Sequence, residues 1–190
     1  MIPRLPDARV VWGSVKVQGR FCGDRPQRPQ SDAVNLPKTS MSMTTTNPSL
    51  PEVAIAILVQ GDRFLLQLRD NIPTILYPGY WAFFGGHLEP GETAEEGVWR
   101  ELAEEIGYQP PWLKQFERHV GDRVIRNVFY GPLTVPVERL ALNEGWDLGL
   151  WSIAEIERGD RYSPRAQQVR PLGPPHREIL LRFIADTPPM

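Results

Sequence analysis

A single cysteine, Cys22, stands in 190 residues. One thiol excludes an internal disulfide and any zinc site built from cysteines, and a reducing cytoplasm is the default compartment. Histidine is nearly as scarce, at three residues, and neither His119 nor His176 has a partner at metal-ligand spacing. No stretch approaches the ~18–20 apolar residues that span a bilayer. The opening residues, Met1-Ile-Pro-Arg-Leu-Pro-Asp7, lack the apolar centre of a signal peptide. Nor is there an excess of positive charge: the formal net charge is −2, which argues against a protein that grips a long nucleic acid by its phosphates. No internal repeat is visible.

What is present fits one ordinary domain with length to spare, since domains usually run to roughly 100–150 residues. Apolar residues make up 41% and charged residues 23%, close to globular averages. Seven of the 20 prolines lie at or before Pro51, and the polar runs there point to a flexible arm over residues 1–50, with at most a short strand at Val10–Val17. Met41 and Met43 precede the first structured segment and are candidate translation starts. The folded domain is expected over residues 51–186, with a tail at 187–190. Charge is uneven along it: Gly86–Tyr108 holds seven Glu and one Arg, a local net of −6 that leaves +4 for the remainder.

The β-branched run Val53–Val59 and the resumption at Arg63–Arg69, separated by Gly61-Asp62, read as a hairpin. A Pro/Gly-punctuated loop follows, then an aromatic strand over Tyr80–Phe84 ending on Gly85-Gly86. Thr93 and Glu96 form a Thr-x-x-Glu capping box, Ala94, Val98, Leu102 and Ile106 make an i, i+4 apolar stripe, and Gly107 is the C-terminal stop, which predicts a helix between them. Strands are expected at 111–119, 123–133, 140–142 and 148–151, then a helix from about Ser152 and an amphipathic helix over His176–Ala185 behind Pro174-Pro175. The fold class is α/β or α+β, with one helix between early and late strands.

On the first of these helices Glu101, Glu104 and Glu105 fall at i, i+3 and i+4, within a ~100° arc of one face. Like charges this close destabilise a helix and raise one another's pKa unless a cation intervenes. Oxygen-only ligands favour Mg²⁺, or Mn²⁺, and Mg²⁺ is commonly shared between a few carboxylates and substrate phosphates. A solvated face with Arg100 paired to Glu104 is the bland alternative.

The flanking residues decide between these. Gly86 to Tyr108 follows G-x5-E-x7-R-E-U-x-E-E-x-G-U, with U apolar: Gly86, Glu92, Arg100, Glu101, Glu104, Glu105 and Gly107 fill the fixed positions, Leu102 fills the first U, and only Tyr108 departs mildly. This is the Nudix box, and the chain resembles the Nudix hydrolases over about residues 51–186. The resemblance implies a mixed β-sheet sandwiched between helices, a three-layer α/β/α domain. It also implies Mg²⁺-dependent hydrolysis of a nucleoside diphosphate linked to another group X, giving a nucleoside monophosphate and phosphorylated X. The physics agrees, because metal ions can neutralise polyphosphate oxygens and activate the attacking water.

By the same resemblance Glu101, Glu104, Glu105 and the carbonyl of Gly85 hold the metal, while Arg100 pairs with Glu92 to brace the loop. The general base is Glu101 or an acid on a later loop, with Glu144 ahead of Asp147. Arg69, Phe83 and Trp81 are candidates to bind the substrate, Trp146 is a further aromatic, and His87 is read as a polar loop residue. The expected partner is a small nucleotide, with no long nucleic acid and no membrane; a homodimer is compatible. A nucleotide-sensing module without catalysis is the rival reading, but such modules commonly lose box glutamates. Isopentenyl diphosphate isomerases share the fold and rely on an active-site Cys, which Cys22 in the arm does not match.

Overall fold

The computed structural model describes residues 50–187. The predicted arm with its Val10–Val17 strand, and residues 188–190 of the tail, lie outside the described residues. The expected hairpin forms from β1 (Glu52–Gln60) and β2 (Arg63–Leu68), with Leu58 opposite Leu65 and Gln60 opposite Arg63. Both faces of β1 are buried. Ile55, Ile57 and Val59 enter one core and Ala54, Ala56 and Leu58 the other, which explains an apolar run without alternation.

The expected aromatic strand is two strands. β3 (Trp81–Ala82) pairs with β2, and β4 (Phe84–His87) pairs antiparallel with Val53–Ala56 of β1. The reason is a splay: β2 follows only the Leu58–Gln60 end of β1, leaving the rest of that edge for β4, so the chain changes partner at Phe83. On the other edge of β1 runs β6 (Ile125–Pro132), parallel, with Val53 opposite Arg126, and β5 (Lys114–Val120) pairs antiparallel with β6. β7 (Asp147–Ser152) completes the seven-stranded mixed sheet beside β2.

α1 (Ala94–Ile106) covers one face, with the capping box of Thr93 and Glu96 formed and Gly107 ending it in the left-handed conformation. Val98, Leu102 and Ile106 are fully buried against Ala54, Leu58 and Phe84. Three such side chains contribute ~1.5–3 kcal/mol each, which outweighs like-charge pairs at ~0.2–0.5 kcal/mol each among the neighbouring glutamates. The helix therefore tolerates its carboxylates. α2 (Ile153–Arg158), capped by Ser152, and α3 (Pro174–Asp186) cover the other face through Ile156, Ile179, Leu180 and Phe183. The three-layer α/β/α arrangement is thus present.

Three local expectations need correction. The strand at 140–142 is absent: a 3-10 turn (Val137–Arg139) leads into irregular chain, whose backbone turns to cap α1 instead of joining a sheet. A small hairpin of β8 (Asp160–Ser163) and β9 (Gln168–Pro171) was not foreseen, because its residues are mainly polar and show no alternation. Pro174 and Pro175 lie inside the first turn of α3, where a missing N–H is harmless.

Candidate active site

Where β1 and β2 part, a cleft of about 510 Å³ opens between the end of the sheet and α1. Gly85 and Gly86 make it possible. Gly85 has φ 122°, and a Cβ there would lie 2.1 Å from the carbonyl oxygen of Ala54; a Cβ on Gly86 would lie 2.5 Å from a carboxylate oxygen of Glu101. Only glycine lets β4 pass this close to both β1 and α1.

Glu105 is the most deeply placed acid, only 4% exposed. Its Oε2 accepts from the Gly85 N–H at 2.7 Å, and its Oε1 accepts from Gln67 Nε2 at 3.1 Å. Burial pushes its carboxyl up to about 8 against these two hydrogen bonds, and the negative charges of Glu101 and Glu144 add to the rise. Burial also raises Glu101, partly offset by Arg100 and reinforced by Glu104 and Glu144. Glu104 lies more exposed, further along α1.

Arg100 stands beside these acids, but its charge is shared. Nε and Nη2 form a fork to Glu92 at 2.8 and 3.0 Å, Nη1 donates to Glu101 at 2.9 Å and to Glu104 at 3.1 Å, and Nη2 also donates to the His87 carbonyl. The fork holds Glu92 down at about 2 and ties the loop to the helix. The predicted Glu92 pair and the bland Glu104 pair therefore coexist. Among the described residues no three acidic, His or Cys side chains sit as a ready-made metal cage. Buried carboxylates of raised pKa with only one shared cation nevertheless suit a hard divalent ion, whose charge removes their mutual repulsion. The donor set of carboxylate and carbonyl oxygens fits Mg²⁺ or Mn²⁺.

Glu144 is exposed and lines the same cleft. Asn143 holds it there: its N–H donates to the Glu105 carbonyl and its Nδ2 to the Glu104 carbonyl, each at 2.8 Å, while the Ala141 N–H donates to that of Ile106. These bonds satisfy the carbonyls that the end of α1 leaves open. Asp147 is elsewhere. It is buried, accepts from Ser163 Oγ at 2.6 Å and does not line the cleft.

Of the residues predicted to bind substrate, Arg69 and Phe83 line the cleft. Trp81 does not: it is core, edge-on to Trp151 with centroids 5.5 Å apart, because β3 turns it toward the face covered by α2 and α3. Trp146 is 38% exposed beneath the Arg170 guanidinium and outside the cleft lining. His87 lies at the rim.

Several contributors escaped sequence reasoning. Gln67 and Asn143 are single amides without a motif. Tyr77 lines the cleft with φ 55°. His176, at the start of α3, is almost fully buried, and its Nδ1 accepts from the Phe83 N–H at 3.4 Å. Burial, together with the Arg126 and Arg69 charges, drives it down to about 3, so the ring is neutral and carries its proton on Nε2. Nothing local in the sequence joins positions 83 and 176; only the tertiary fold does.

A family model described as NUDIX domain matches residues 49–181, and the chain belongs to this family, whose members hydrolyse nucleoside diphosphate derivatives. The chain is 42% identical over 52 residues to a nucleoside triphosphatase NudI of Salmonella agona, covering 27% of this chain and 37% of that protein. Only about a third of that relative's length is thus spanned. Solved structures share the fold. A MutT protein from Methanosarcina mazei has a TM-score of 0.53 at 24% identity, over 72% of this chain and 94% of that one. The NUDIX domain of Shewanella oneidensis NrtR, solved with ADP ribose, has a TM-score of 0.54 at 18% identity, over 73% and 88%. Among the described residues no helix is long and apolar enough to cross a membrane.

Proposed function

We propose that this chain is a divalent-metal-dependent hydrolase that cuts the phosphoanhydride of a nucleoside diphosphate joined to a second group X, releasing a nucleoside monophosphate and phosphorylated X. The observation that carries the reading is Glu105: a buried carboxyl, raised to about 8, fixed by Gly85 and Gln67 beside Glu101 in an open cleft. Burying a carboxylate there without a full counter-charge is unfavourable, so a site kept this way is reserved for a cation.

Glu101, Glu104, Glu105 and the Gly85 carbonyl would hold Mg²⁺, with Mn²⁺ as the alternative. When bound, such an ion screens the diphosphate oxygens and lowers the pKa of water. The protein's own part is positional. Glu92 keeps Arg100 drawn toward the loop, and Gly86 leaves room for the Glu101 carboxylate. Either Glu101 or Glu144 takes the proton of the attacking water; Glu144 is favoured by its place at the rim, where it hydrates freely and is anchored through Asn143. Phe83 and Arg69 contact the rest of the substrate.

A sensing module without catalysis would have no need to retain all four box glutamates. Small nucleotides with ADP-ribose-like diphosphates are the natural first substrates to try. Purified protein is incubated with a panel of nucleoside diphosphate derivatives in Mg²⁺, Mn²⁺ or EDTA, and products are weighed by mass spectrometry. Cation-dependent release of a nucleoside monophosphate is expected. Failure across the whole panel overturns the reading.

A further inference from the structure

Arg126 has no role in the chemistry above, yet it is a charge held almost wholly out of solvent. It lies on β6 opposite Val53, two residues before Val128, on the sheet face otherwise filled by Ile55, Val128 and Tyr130. It is only 6% exposed. Among the described residues its guanidinium has no hydrogen bond from the side chain and no carboxylate within 4.0 Å. Arginine cannot escape such a position by losing its proton as lysine can. The Arg126 nitrogens are not among the sealed, partnerless polar atoms of the described residues, so they open onto the cleft, and a guanidinium this little exposed with no carboxylate beside it is suited to an anion supplied from outside.

The surroundings show where that anion would come from. Arg126 lines the active-site cleft and also a second cavity of about 400 Å³ adjoining it, so it stands at their junction. Arg69 lines the cleft; its Nε donates to the Leu76 carbonyl, and no acid pairs with it among the described residues. His176 lines the cleft too, with Nδ1 committed to Phe83 and its remaining N–H available as a neutral donor. Arg123, exposed, borders both cavities, as does Tyr77. The acids of the second cavity, Asp122 and Glu178, are exposed and form no ion pair with Arg126. The cleft thus carries the carboxylates of α1 together with the guanidinium groups of Arg69, Arg123 and Arg126, which no acid pairs among the described residues.

We propose that Arg126, with Arg69 and the Nε2–H of His176, forms an oxyanion subsite for a second phosphate of the substrate, one remote from the anhydride that is cut. The substrate class is then a nucleoside diphosphate derivative bearing an additional phosphate monoester. A planar guanidinium presents paired N–H groups that match a phosphate edge, and Arg126 also lines the second cavity, which no box glutamate lines. The remoteness of the phosphate rests on the proposed hydrolase reading; the anion site itself does not.

Two measurements separate these. In EDTA, inorganic phosphate against chloride at equal ionic strength is expected to raise the melting temperature of the full chain saturably. Arg126→Met should abolish that shift and raise the melting temperature without phosphate, whereas Glu105→Gln should keep the shift. Arg69→Met and Arg126→Lys, which preserve folding more safely, should each weaken phosphate binding about tenfold, from loss of one charge-assisted contact. An unchanged phosphate response in these variants overturns the subsite. In Mg²⁺, pairs of dinucleotides differing only by one remote phosphate monoester are compared by kcat/KM. Wild type should prefer the phosphorylated member at least tenfold, and Arg126→Met should erase the preference. Equal loss on both members, or no preference in wild type, overturns the second-phosphate assignment even if phosphate binds.

Discussion

Replacing Glu105 by Gln tests the central charge of the site without touching its shape. In the metal-free protein the carboxyl is raised from 4.5 to about 8, chiefly by burial. Below pH 4.5 both folded and unfolded chains hold this proton, and the mutation should change little. Between pH 4.5 and 8 the unfolded chain ionises while the native one stays protonated, so native stability falls as pH rises, by about 1.4 kcal/mol per pH unit. The loss is complete above pH 8 and amounts to on the order of 5 kcal/mol, an upper bound because water entering the cleft screens part of it. Gln bears no charge and has nearly the same shape, and its side-chain oxygen can still accept from the Gly85 N–H. The difference in melting temperature between Glu105→Gln and wild type, measured in EDTA from pH 5 to 9, should widen with pH toward a ceiling of about 15 °C, at ~3 °C per kcal/mol. Saturating Mg²⁺ should close the gap by stabilising wild type alone. Parallel pH profiles, or equal Mg²⁺ stabilisation of both proteins, would refute the assignment. Turnover of the variant should fall by ~10²-fold or more, since a metal ligand acts chiefly in the transition state.

Other perturbations probe the supports. His176 is held down at about 3 from 6.5, so its contribution to stability is present above pH 6.5 and lost as pH falls; His176→Gln should flatten acid unfolding between pH 6 and 4, followed by circular dichroism. Gly86→Ala puts a methyl 2.5 Å from a Glu101 oxygen; turnover should drop ~10²-fold, as expected for ångström-scale misplacement, with the far-ultraviolet spectrum unchanged. Asn143→Ala removes the side-chain bond to the Glu104 carbonyl and loosens the loop under Glu144. It should lower kcat at least tenfold in steady-state assays while leaving KM for Mg²⁺ within about twofold, both on general grounds of positioning.

What could be read without coordinates followed from local chemistry. The capping box at Thr93, the stripe of Val98, Leu102 and Ile106, and the glutamate spacing at 101, 104 and 105 all lie within one helix, where 3.6-residue periodicity converts sequence directly into faces. The β1–β2 hairpin was legible because Gly61-Asp62 separates the β-branched run Val53–Val59 from a second strand-like run at Arg63–Arg69. The switch of partner at Phe83 was not, because it depends on how far β2 follows β1, a property of two strands together. The core placement of Trp81 and the displacement of Asp147 from the cleft have the same origin.

The amino-acid order alone determined a helix that gathers three carboxylates, because that geometry needs only a helical backbone. The tertiary structure decided their electrical state and their company. Burial raises Glu105 against the bonds from Gly85 and Gln67, Asn143 sets Glu144 at the rim, and β6 brings Arg126 into the cleft near His176. Each of these is a long-range contact, and desolvation depends on everything that surrounds a group, which no spacing along the chain records.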